Sequence, residues 1–300
     1  MAKTRKPIKQ MTDAQFKAAF PNEEACDRYL VARRWGAGVH CPRCGSVNVY
    51  ELKNMPFKWE CPDCAEGNAY RFSHLVGTIF ENTNVDLIEW FKVIHLMLTS
   101  KKGMSALQIK RYMGFGSYKT AWYMCHRIRA AMQDKEFAKL MGVVEIDETY
   151  VGGKSINKHG GRSGKGGGTA GKAIVAGAVS RKGNVVARVI DRVNRDTITR
   201  FVGATISDKV SLIASDDNVA YKRLWTKYPH KIVRHRQGEY VVGAVHTNTI
   251  EGFWSILKRG IVGTFHKVSA KYLPLYVAEF EFRYNNRTND DIFGAAIAKC

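Results

Sequence analysis

Runs of apolar residues separated by polar turns predict alternating strands and helices over residues 142–260. The segments "GVVEIDETYVGG", "KAIVAGAVS" and "NVVARVI" read as strands, and "RKG" predicts a hairpin turn between the last two. A helix follows at "RDTITRFVGATI", a strand at "VSLIASDD", a helix at "AYKRLWTKY" and a short strand at "HKIVRH". A last helix lies in "HTNTIEGFWSILKRG", where Ile250, Phe253, Trp254 and Leu257 recur at helical spacing. This order predicts an α/β domain.

The first half of the chain has a mostly helical pattern. A pair of short helices is predicted over residues 12–35, and residues 86–132 carry a longer amphipathic helix and then two shorter ones around the turn "FGS". Such a pair resembles a helix-turn-helix, whose second helix can enter a major groove. On that interpretation Lys119, Arg127 and Arg129 contact DNA phosphates, although adjacent helices with charged surfaces are also common without DNA.

Changes in composition divide the chain into four predicted segments. They are an N-terminal helical segment (1–36), a cysteine-containing ribbon (37–80), a helical DNA-binding region (81–140) and the α/β domain (141–300). Within the last segment, residues 152–172 are rich in Gly and Lys and have no periodicity, which predicts an irregular loop. The loop lacks the Gly-Lys-Ser/Thr ending of a P-loop, so contact with a DNA backbone is the better interpretation.

Four of the seven cysteines form two Cys-x-x-Cys pairs, Cys41/Cys44 and Cys61/Cys64. Two such pairs separated by about 15 to 20 residues are typical of a zinc site. Four thiolates complete the tetrahedral shell of Zn²⁺, which predicts one structural zinc ion with no open position for a substrate. The odd total of cysteines and their clustering argue against a disulfide framework.

The chain is strongly basic, with 47 Lys and Arg against 27 Asp and Glu and a formal net charge of +20. Residues 151–300 hold 25 of these basic side chains and only 11 of the acidic ones. Because binding to phosphates releases counterions, such an excess favours nucleic acid as the partner. The alternatives are a solvated basic surface that aids solubility and an anionic membrane surface. The sequence has neither an apolar run of about 18 residues nor a signal peptide, which predicts a cytoplasmic protein with no membrane partner.

Three acids stand at the ends of predicted elements in the half of the chain where acids are scarce. Asp147 closes the first strand, Asp216 closes the fourth, and Glu251 begins the last helix. Ligands of α/β proteins favour such positions, and carboxylates bind hard cations such as Mg²⁺ that promote in-line displacement at phosphorus. A simpler role for Glu251 is a capping box with Asn248. The other nearby acids are interpreted as surface residues: Glu145, Glu148, Glu279 and Glu281.

Several longer motifs accompany these acids. They are "GTIFENT", "KGMSALQIKRYMG", "TAWYMCHRIRAAM", "VEIDETYVGGK", "SDDNVAY", "GEYVVGAVHTNTIEGFWSILKRGIVGTFH" and "EFEFRYNNR". With the cysteine pairs, they make nearly the whole chain resemble one family, the DDE transposases of bacterial insertion sequences that carry an amino-terminal zinc ribbon. The resemblance implies a ribonuclease H-like catalytic core, a mixed sheet with flanking helices, preceded by the zinc ribbon and the helix-turn-helix-like region. It also implies DNA cleavage and strand transfer.

The same resemblance implies three catalytic acids followed by a basic residue seven positions after the last. Matched to this sequence, that motif gives Asp147, Asp216, Glu251 and Lys258. The separation of the last two acids, 35 residues (251 minus 216), is close to the usual one. Two alternatives stay open. Asp217 adjoins Asp216, and some members of the family have Asn in place of the last acid, which makes Asn248 a rival to Glu251.

The predicted function is therefore a DNA transposase that uses Mg²⁺ or Mn²⁺ at its acids and one structural Zn²⁺ in its ribbon. Its predicted partners are double-stranded DNA, as terminal repeats and as target, and further copies of the chain. Arg259, Tyr150 and Arg283 are further candidate contacts to the DNA backbone, and His246 is a ligand, a phosphate contact or a hydrogen-bonding residue at a helix entrance. A DNA-binding protein without catalysis and a nuclease or resolvase without joining activity are the alternatives.

Overall fold

The structure, a computed structural model, describes most of the chain. The described residues are 11–36, 38–64, 69–134, 137–153, 171–222, 224–233 and 246–300. Residues 154–170, most of the predicted Gly/Lys-rich loop, lie outside them. The chain divides into two compact units, residues 1–132 with 287–300 and residues 133–286.

The described elements follow in chain order. The helices are α1 (Asp13–Ala19), α2 (Glu23–Trp35), α3 (Leu87–Thr99), α4 (Ala106–Met113), α5 (Tyr118–Ala131), α6 (Arg195–Thr205), α7 (Asn248–Gly260), α8 (Leu273–Asn285) and α9 (Ile292–Ile297). The strands are β1 (Tyr50–Glu51), β2 (Lys58–Cys61), β3 (Tyr70–Ser73), β4 (Val143–Val151), β5 (Ala173–Ser180), β6 (Val185–Ile190), β7 (Leu212–Ser215) and β8 (His230–Ile232).

The first unit is a helical body with a small sheet. Its central helix, α3, is buried along most of its length and contacts α2, α4, α5 and α9. The sequence placed residues 287–300 in the α/β domain, whereas here they pack in this unit. The reason is aromatic packing, because the ring of Phe293 lies 5.5 Å from that of Phe20 and 5.6 Å from that of Phe91.

The second unit is built on a five-stranded sheet in the order β6-β5-β4-β7-β8. Strands β4, β5 and β6 pair antiparallel, whereas β7 is parallel to both β4 and β8. This is the mixed sheet with flanking helices that was predicted, and it is consistent with a ribonuclease H-like core. The predicted fold class is confirmed.

Both faces of the central strand β4 are covered, and each face meets a different helix. Val144 and Ile146 pack into an apolar cluster with residues of α6. Because side chains alternate along a strand, Glu145 and Asp147 point to the opposite face, which is covered by α7 and α8. The acids of β4 at odd positions therefore face α7.

Two predicted features of this unit are wrong in detail. The helix predicted over residues 220–228 is replaced by two 3₁₀ turns, Val219–Tyr221 and Leu224–Thr226. The first of them begins where the Asn218 side chain accepts the Ala220 N–H. Asp147 does not close its strand either, because β4 continues to pair with β5 as far as Val151.

No helix among the described residues combines the length and the apolar character that crossing a bilayer requires.

Candidate active site and zinc site

The four paired cysteines converge at the edge of the β1–β3 sheet. Their sulfur atoms all lie within 4.8 Å of one another, and Cys44 Sγ is 3.6 Å from Cys61 Sγ. Four sulfurs bound tetrahedrally at about 2.3 Å from Zn²⁺ would be about 3.8 Å apart. The four cysteines therefore fit a closed zinc site, as predicted.

The four thiols of this site differ in acidity. Burial acts to raise the pKa of Cys41, but hydrogen bonds from the backbone amides of Cys44 and Arg43, and from the thiols of Cys44 and Cys61, outweigh it and bring that pKa down to about 7. The amides thereby favour the thiolate, which is the form that binds metal. Burial raises the pKa of Cys61 to about 12 and also raises that of Cys64. Below the site, Trp35, Trp59 and Phe72 pack as a small apolar cluster with the buried cysteines.

Asp147 and Asp216 come together where the parallel strands β4 and β7 separate. The register pairs Glu145 with Ala214, so Asp147 and Asp216 stand level with each other two residues further on. Ligand oxygens of Asp147, Glu148 and Asp216 all lie within 4.8 Å of one another. Asp217 is not a member of this group among the described side chains, so the geometry favours Asp216 of the two neighbours.

Glu148, which was interpreted as a surface acid, is a half-buried member of this group. Its side chain points to the face of β4 opposite to α7, where Asn218 donates to Oε1 at 3.0 Å and the hydroxyl of Tyr221 donates to Oε2. The sequence signal for this role was weak, because Glu148 differs from the other acids of the sequence only in being next to Asp147.

The crowded carboxylates change the acidity of Asp147. Burial and the negative charges of Glu148 and Asp216 raise its pKa to about 7. Burial also raises the pKa of Glu148. A cluster of partly buried oxygens that holds a proton near neutral pH would exchange it for a hard divalent cation, since such ions prefer carboxylate oxygens. The donor set thus fits Mg²⁺ or Mn²⁺.

The indole of Trp254 attaches α7 to Asp147. Its Nε1–H donates to Asp147 Oδ2 at 3.0 Å, and the ring packs over β5 at Gly177, the residue paired with Asp147. A Cβ atom at Gly177 would lie only 2.6 Å from the Trp254 ring, so the close approach requires glycine there. Glu251 lies one helical turn before Trp254 and is exposed, and it is not a member of the group formed by Asp147, Glu148 and Asp216 among the described side chains.

The start of α7 is not capped as the sequence suggested. Asn248 is already the first helical residue, and the backbone N–H groups of Thr249 and Ile250 donate to the carboxylate of Glu145. The carboxylate of Glu251 accepts instead from the hydroxyl of Thr247 at 3.0 Å. The capping box between Asn248 and Glu251 is therefore absent from this structure.

The remaining acids interpreted as surface residues are buried. Glu145 and Glu279 are fully buried, and Glu281 is 3% exposed. Each has an arginine partner: Glu145 pairs with Arg181, Glu281 with Arg188, and Glu279 with Arg283. Such burial is tolerated because the partner compensates the charge. The partners of Glu145 and Glu281 are distant along the chain and leave no local signal, whereas Glu279 and Arg283 are four residues apart on α8.

The predicted basic contacts divide into exposed and buried residues. Lys258 and Arg259 are exposed near the end of α7, and Lys258 stands two turns after Glu251 on the same side of the helix. Arg283, proposed as a backbone contact, is 12% exposed and bound to Glu279, which turns it away from solvent. Half-buried His246 places Nδ1 3.2 Å from Glu145 Oε1. Tyr150 is half-buried on β4.

Of the three candidate DNA contacts on α5, only Lys119 is exposed. Arg129 is 1% exposed, because it follows Cys125 by one turn and extends the buried stripe of the helix. Arg127 is half-buried, donates to the carbonyl of Glu81 and lies over the ring of Trp90. Arg129 is therefore wrong as a DNA contact in this structure, and Arg127 already serves the packing of its own unit.

Comparison with known proteins identifies both parts of the chain. Residues 139–285 match the ISXO2-like transposase domain, and residues 21–67 match the transposase zinc-ribbon domain. The chain is 27% identical over 277 residues to an uncharacterized protein in transposable element ISH50 of Halobacterium salinarum, a match that covers 88% of this chain and 91% of that protein.

Among solved structures, a cryoEM structure of a simian T-cell lymphotropic virus intasome in complex with PP2A regulatory subunit B56 gamma aligns with 64% of this chain and 65% of that chain. Its sequence identity is 15% and its TM-score is 0.30, values too low to establish a common fold.

The two domain matches contain the clustered cysteines and the grouped acids. The transposase zinc-ribbon domain includes all four clustered cysteines, and the ISXO2-like transposase domain includes Asp147, Glu148 and Asp216. The chain belongs to the family of insertion-sequence transposases that combine these two domains.

Proposed function

We propose that this protein cuts DNA at the ends of its insertion sequence and joins the freed ends to target DNA. The observation that carries the proposal is the pairing of Asp147 with Asp216 at the point where β4 and β7 separate, within a transposase domain. Acids in this arrangement are suited to catalyse displacement at phosphorus, because they can bind divalent cations next to a phosphodiester.

Asp147, Asp216 and Glu251 are the proposed ligands of the catalytic Mg²⁺ or Mn²⁺. Glu148 lies in the group of oxygens within 4.8 Å and Glu251 does not, but Glu251 is preferred as the third ligand because α7 covers the face of β4 to which Asp147 points. Glu148 points to the other face and is held there by Asn218 and Tyr221. When bound, the cations would activate the attacking oxygen and stabilise the leaving one.

The proposed reaction has two displacement steps. In the first, water attacks the phosphodiester at the element end, the bond from phosphorus to the 3′ oxygen breaks, and a 3′-hydroxyl is released. In the second, that hydroxyl attacks a phosphodiester of the target, which forms the new junction and releases a target 3′-hydroxyl. Lys258, two turns beyond Glu251, would hold a phosphate near the reacting bond, since an exposed ammonium pairs with phosphate as a point charge.

The proposed partners are double-stranded DNA and further copies of the chain. The zinc ribbon and the helical region would bind the terminal repeats, and the catalytic unit would meet both element end and target. Two element ends must be brought together, so we propose a homo-oligomer on DNA. Such a protein would act in the cytoplasm and associate with the nucleoid while it is bound.

The exposed face of α4 and α5 is the proposed DNA contact of the helical region. Between Glu89 and Asp134 the sequence has eight Lys and Arg and no Asp or Glu. The exposed residues of this face join positive charge to aromatic rings, a combination suited to phosphates and base edges. They are Arg111, Tyr112, Tyr118, Lys119 and Tyr123.

We predict that Lys119→Ala weakens binding to the element end and lowers the slope of log affinity against log salt by about one, because one phosphate contact is lost. Binding isotherms at several salt concentrations measure this slope. Lys209→Ala is the matched control, since Lys209 is exposed before β7 whereas the acids follow that strand. An equal change of the slope in both variants would mean that it reflects the lower net charge of the protein and not the loss of a contact between α5 and DNA.

We also predict that Mg²⁺ binding strengthens as the pH rises from 6 to 8. The pKa of Asp147 is raised to about 7 by burial and by its acidic neighbours, so below that pH a proton must leave before the cation binds. Affinity should fall up to about tenfold per pH unit below 7. Titration calorimetry in two buffers of different ionisation enthalpy measures both affinity and proton release. Binding that is independent of pH across this range would contradict the assignment of Asp147.

The proposed function is tested by incubating purified protein with a labelled duplex of the element end, a target plasmid and Mg²⁺. We expect a cut product and a joined product, both abolished by EDTA. A joined product supports transposition, whereas cutting without joining would make the protein a nuclease or resolvase. Stable binding with neither product would leave only the DNA-binding alternative.

A further inference from the structure

Glu145 is a fully buried acid that the proposed reaction does not use. Its carboxylate is surrounded by donors. Oε1 accepts from Arg181 Nε at 2.8 Å and from the Thr249 hydroxyl at 2.8 Å, and Oε2 accepts from the N–H groups of Thr249 at 2.8 Å and Ile250 at 3.1 Å. These contacts use the hydrogen-bonding capacity of both carboxylate oxygens. Glu145 faces α7 beside Asp147, but its carboxylate is occupied by contacts that hold the fold.

Glu145 holds the first turn of α7 from outside that helix. Helix N-termini expose N–H groups without helical partners and carry a partial positive charge, and a side chain at the start of the helix usually satisfies them. Here the acceptor comes from β4, two residues before Asp147. The same contact therefore ties the strand that carries Asp147 to the helix turn that carries Glu251.

Arg181 strengthens this attachment from a second direction. Its Nε donates to Glu145, and its Nη2 donates to the carbonyl of His246 at 3.0 Å, which precedes α7. Arg181 also lies in the turn between β5 and β6, where its N–H donates to the carbonyl of Val143. The entrance of α7 is thus fixed to the sheet by charge-assisted hydrogen bonds, which are shorter and stronger than neutral ones.

We propose that Glu145 is a positioning residue for the acidic site, which sets the place of Glu251 relative to Asp147. Ile250, whose N–H binds Glu145, directly precedes Glu251, so a shift of this turn moves Glu251 with it. This inference rests on the proposed function, because it takes Glu251 as a cation ligand. Residues that orient metal ligands typically change metal affinity by 10- to 100-fold when they are replaced.

The test compares Glu145→Gln with Glu281→Gln in the full chain. Glu281 is a matched control, because it is also buried in the second unit, binds an arginine (Arg188) and accepts a backbone N–H (Ala187). Mn²⁺ affinity is measured by electron paramagnetic resonance, together with the Tm of the metal-free protein and the Mg²⁺ concentration for half-maximal strand transfer.

We expect Glu145→Gln to weaken Mn²⁺ binding by about tenfold and to raise the Mg²⁺ requirement similarly, with partial recovery at high Mg²⁺. Glu281→Gln should lower the Tm without either change. Equal Mn²⁺ affinity in wild type and Glu145→Gln, or an equal loss in Glu281→Gln, would overturn the proposal. If Glu145→Gln does not fold, Thr249→Val, which removes one donor to Glu145, decides by the same criteria.

The design separates this inference from the proposed function. If wild type binds Mn²⁺ but yields no cut or joined DNA, the proposed function fails, and the Mn²⁺ affinities still test the positioning role. If wild type joins DNA and Glu145→Gln behaves as Glu281→Gln does, only the positioning role fails.

Discussion

Asp147→Asn, Asp216→Asn and Glu251→Gln should each reduce strand transfer by at least about a hundredfold, while binding to the element end persists. Each change removes an anionic ligand but nearly keeps the shape of the side chain. Each change therefore weakens binding of the cation and the stabilisation of the negative charge that develops at phosphorus in the transition state. Labelled products on a gel, normalised to the bound fraction, measure the effect after the Tm has confirmed folding.

Combining these changes should cost little more than any one of them, because residues that act as a unit are not additive. Glu148→Gln is the informative comparison. If Glu251 is the third ligand, Glu148→Gln should retain much more activity than Glu251→Gln, since Glu148 is held by Asn218 and Tyr221 on the other face of β4. The reverse order would assign the third position to Glu148 and return Glu251 to its contact with Thr247.

The second large effect is expected for Cys61→Ser, which should remove zinc and unfold the ribbon. Zinc supplies about 10–16 kcal/mol of apparent folding free energy in small modules. The apolar cluster of Trp35, Trp59 and Phe72 is too small to replace that contribution. Elemental analysis should find about one zinc per chain in wild type. Limited proteolysis should then cut within residues 38–64 faster than in wild type, while cutting elsewhere in the chain keeps its wild-type rate.

Cys300→Ser is the matched control for this change, since Cys300 lies outside the cluster and its thiol donates to the carbonyl of Ala296, as a serine hydroxyl also can. It should keep the zinc and the protease resistance. A wild-type protein without zinc would contradict the zinc assignment, and a Cys61→Ser variant as stable as Cys300→Ser would show that the four-cysteine cluster does not stabilise the ribbon.

Periodicity and spacing predicted the parts of this protein that local physics determines. The cysteine pairs, the strands around Asp147 and Asp216 and the amphipathic α7 all follow from short-range patterns. The burial of Arg129 was also accessible, because it stands one turn after Cys125 at the edge of the apolar stripe of α5. The partial burial of Arg127 was not accessible in this way, because Arg127 follows the exposed Tyr123 by one turn and is covered by contacts with Glu81 and Trp90 from outside α5.

Other features depend on contacts between distant segments and leave no local signal. Glu145 reads as an ordinary acid in a strand, and its role appears only when β4 meets the start of α7, more than a hundred residues later. The packing of α9 in the first unit likewise depends on aromatic contacts between the two ends of the chain. Gly177 is small because Trp254 needs the space, which no pattern in β5 reveals.

The most direct test of the account is to locate the catalytic cation on the chain. Fe²⁺ with ascorbate and peroxide, substituted for Mg²⁺, generates radicals that cut the backbone close to the bound ion. We predict cuts near Asp147, Asp216 and Glu251 in the second unit, suppressed by excess Mg²⁺ and lost in Asp216→Asn. Cuts that avoid these three positions, or that Mg²⁺ does not suppress, would contradict the claim that β4, β7 and α7 together hold the ion.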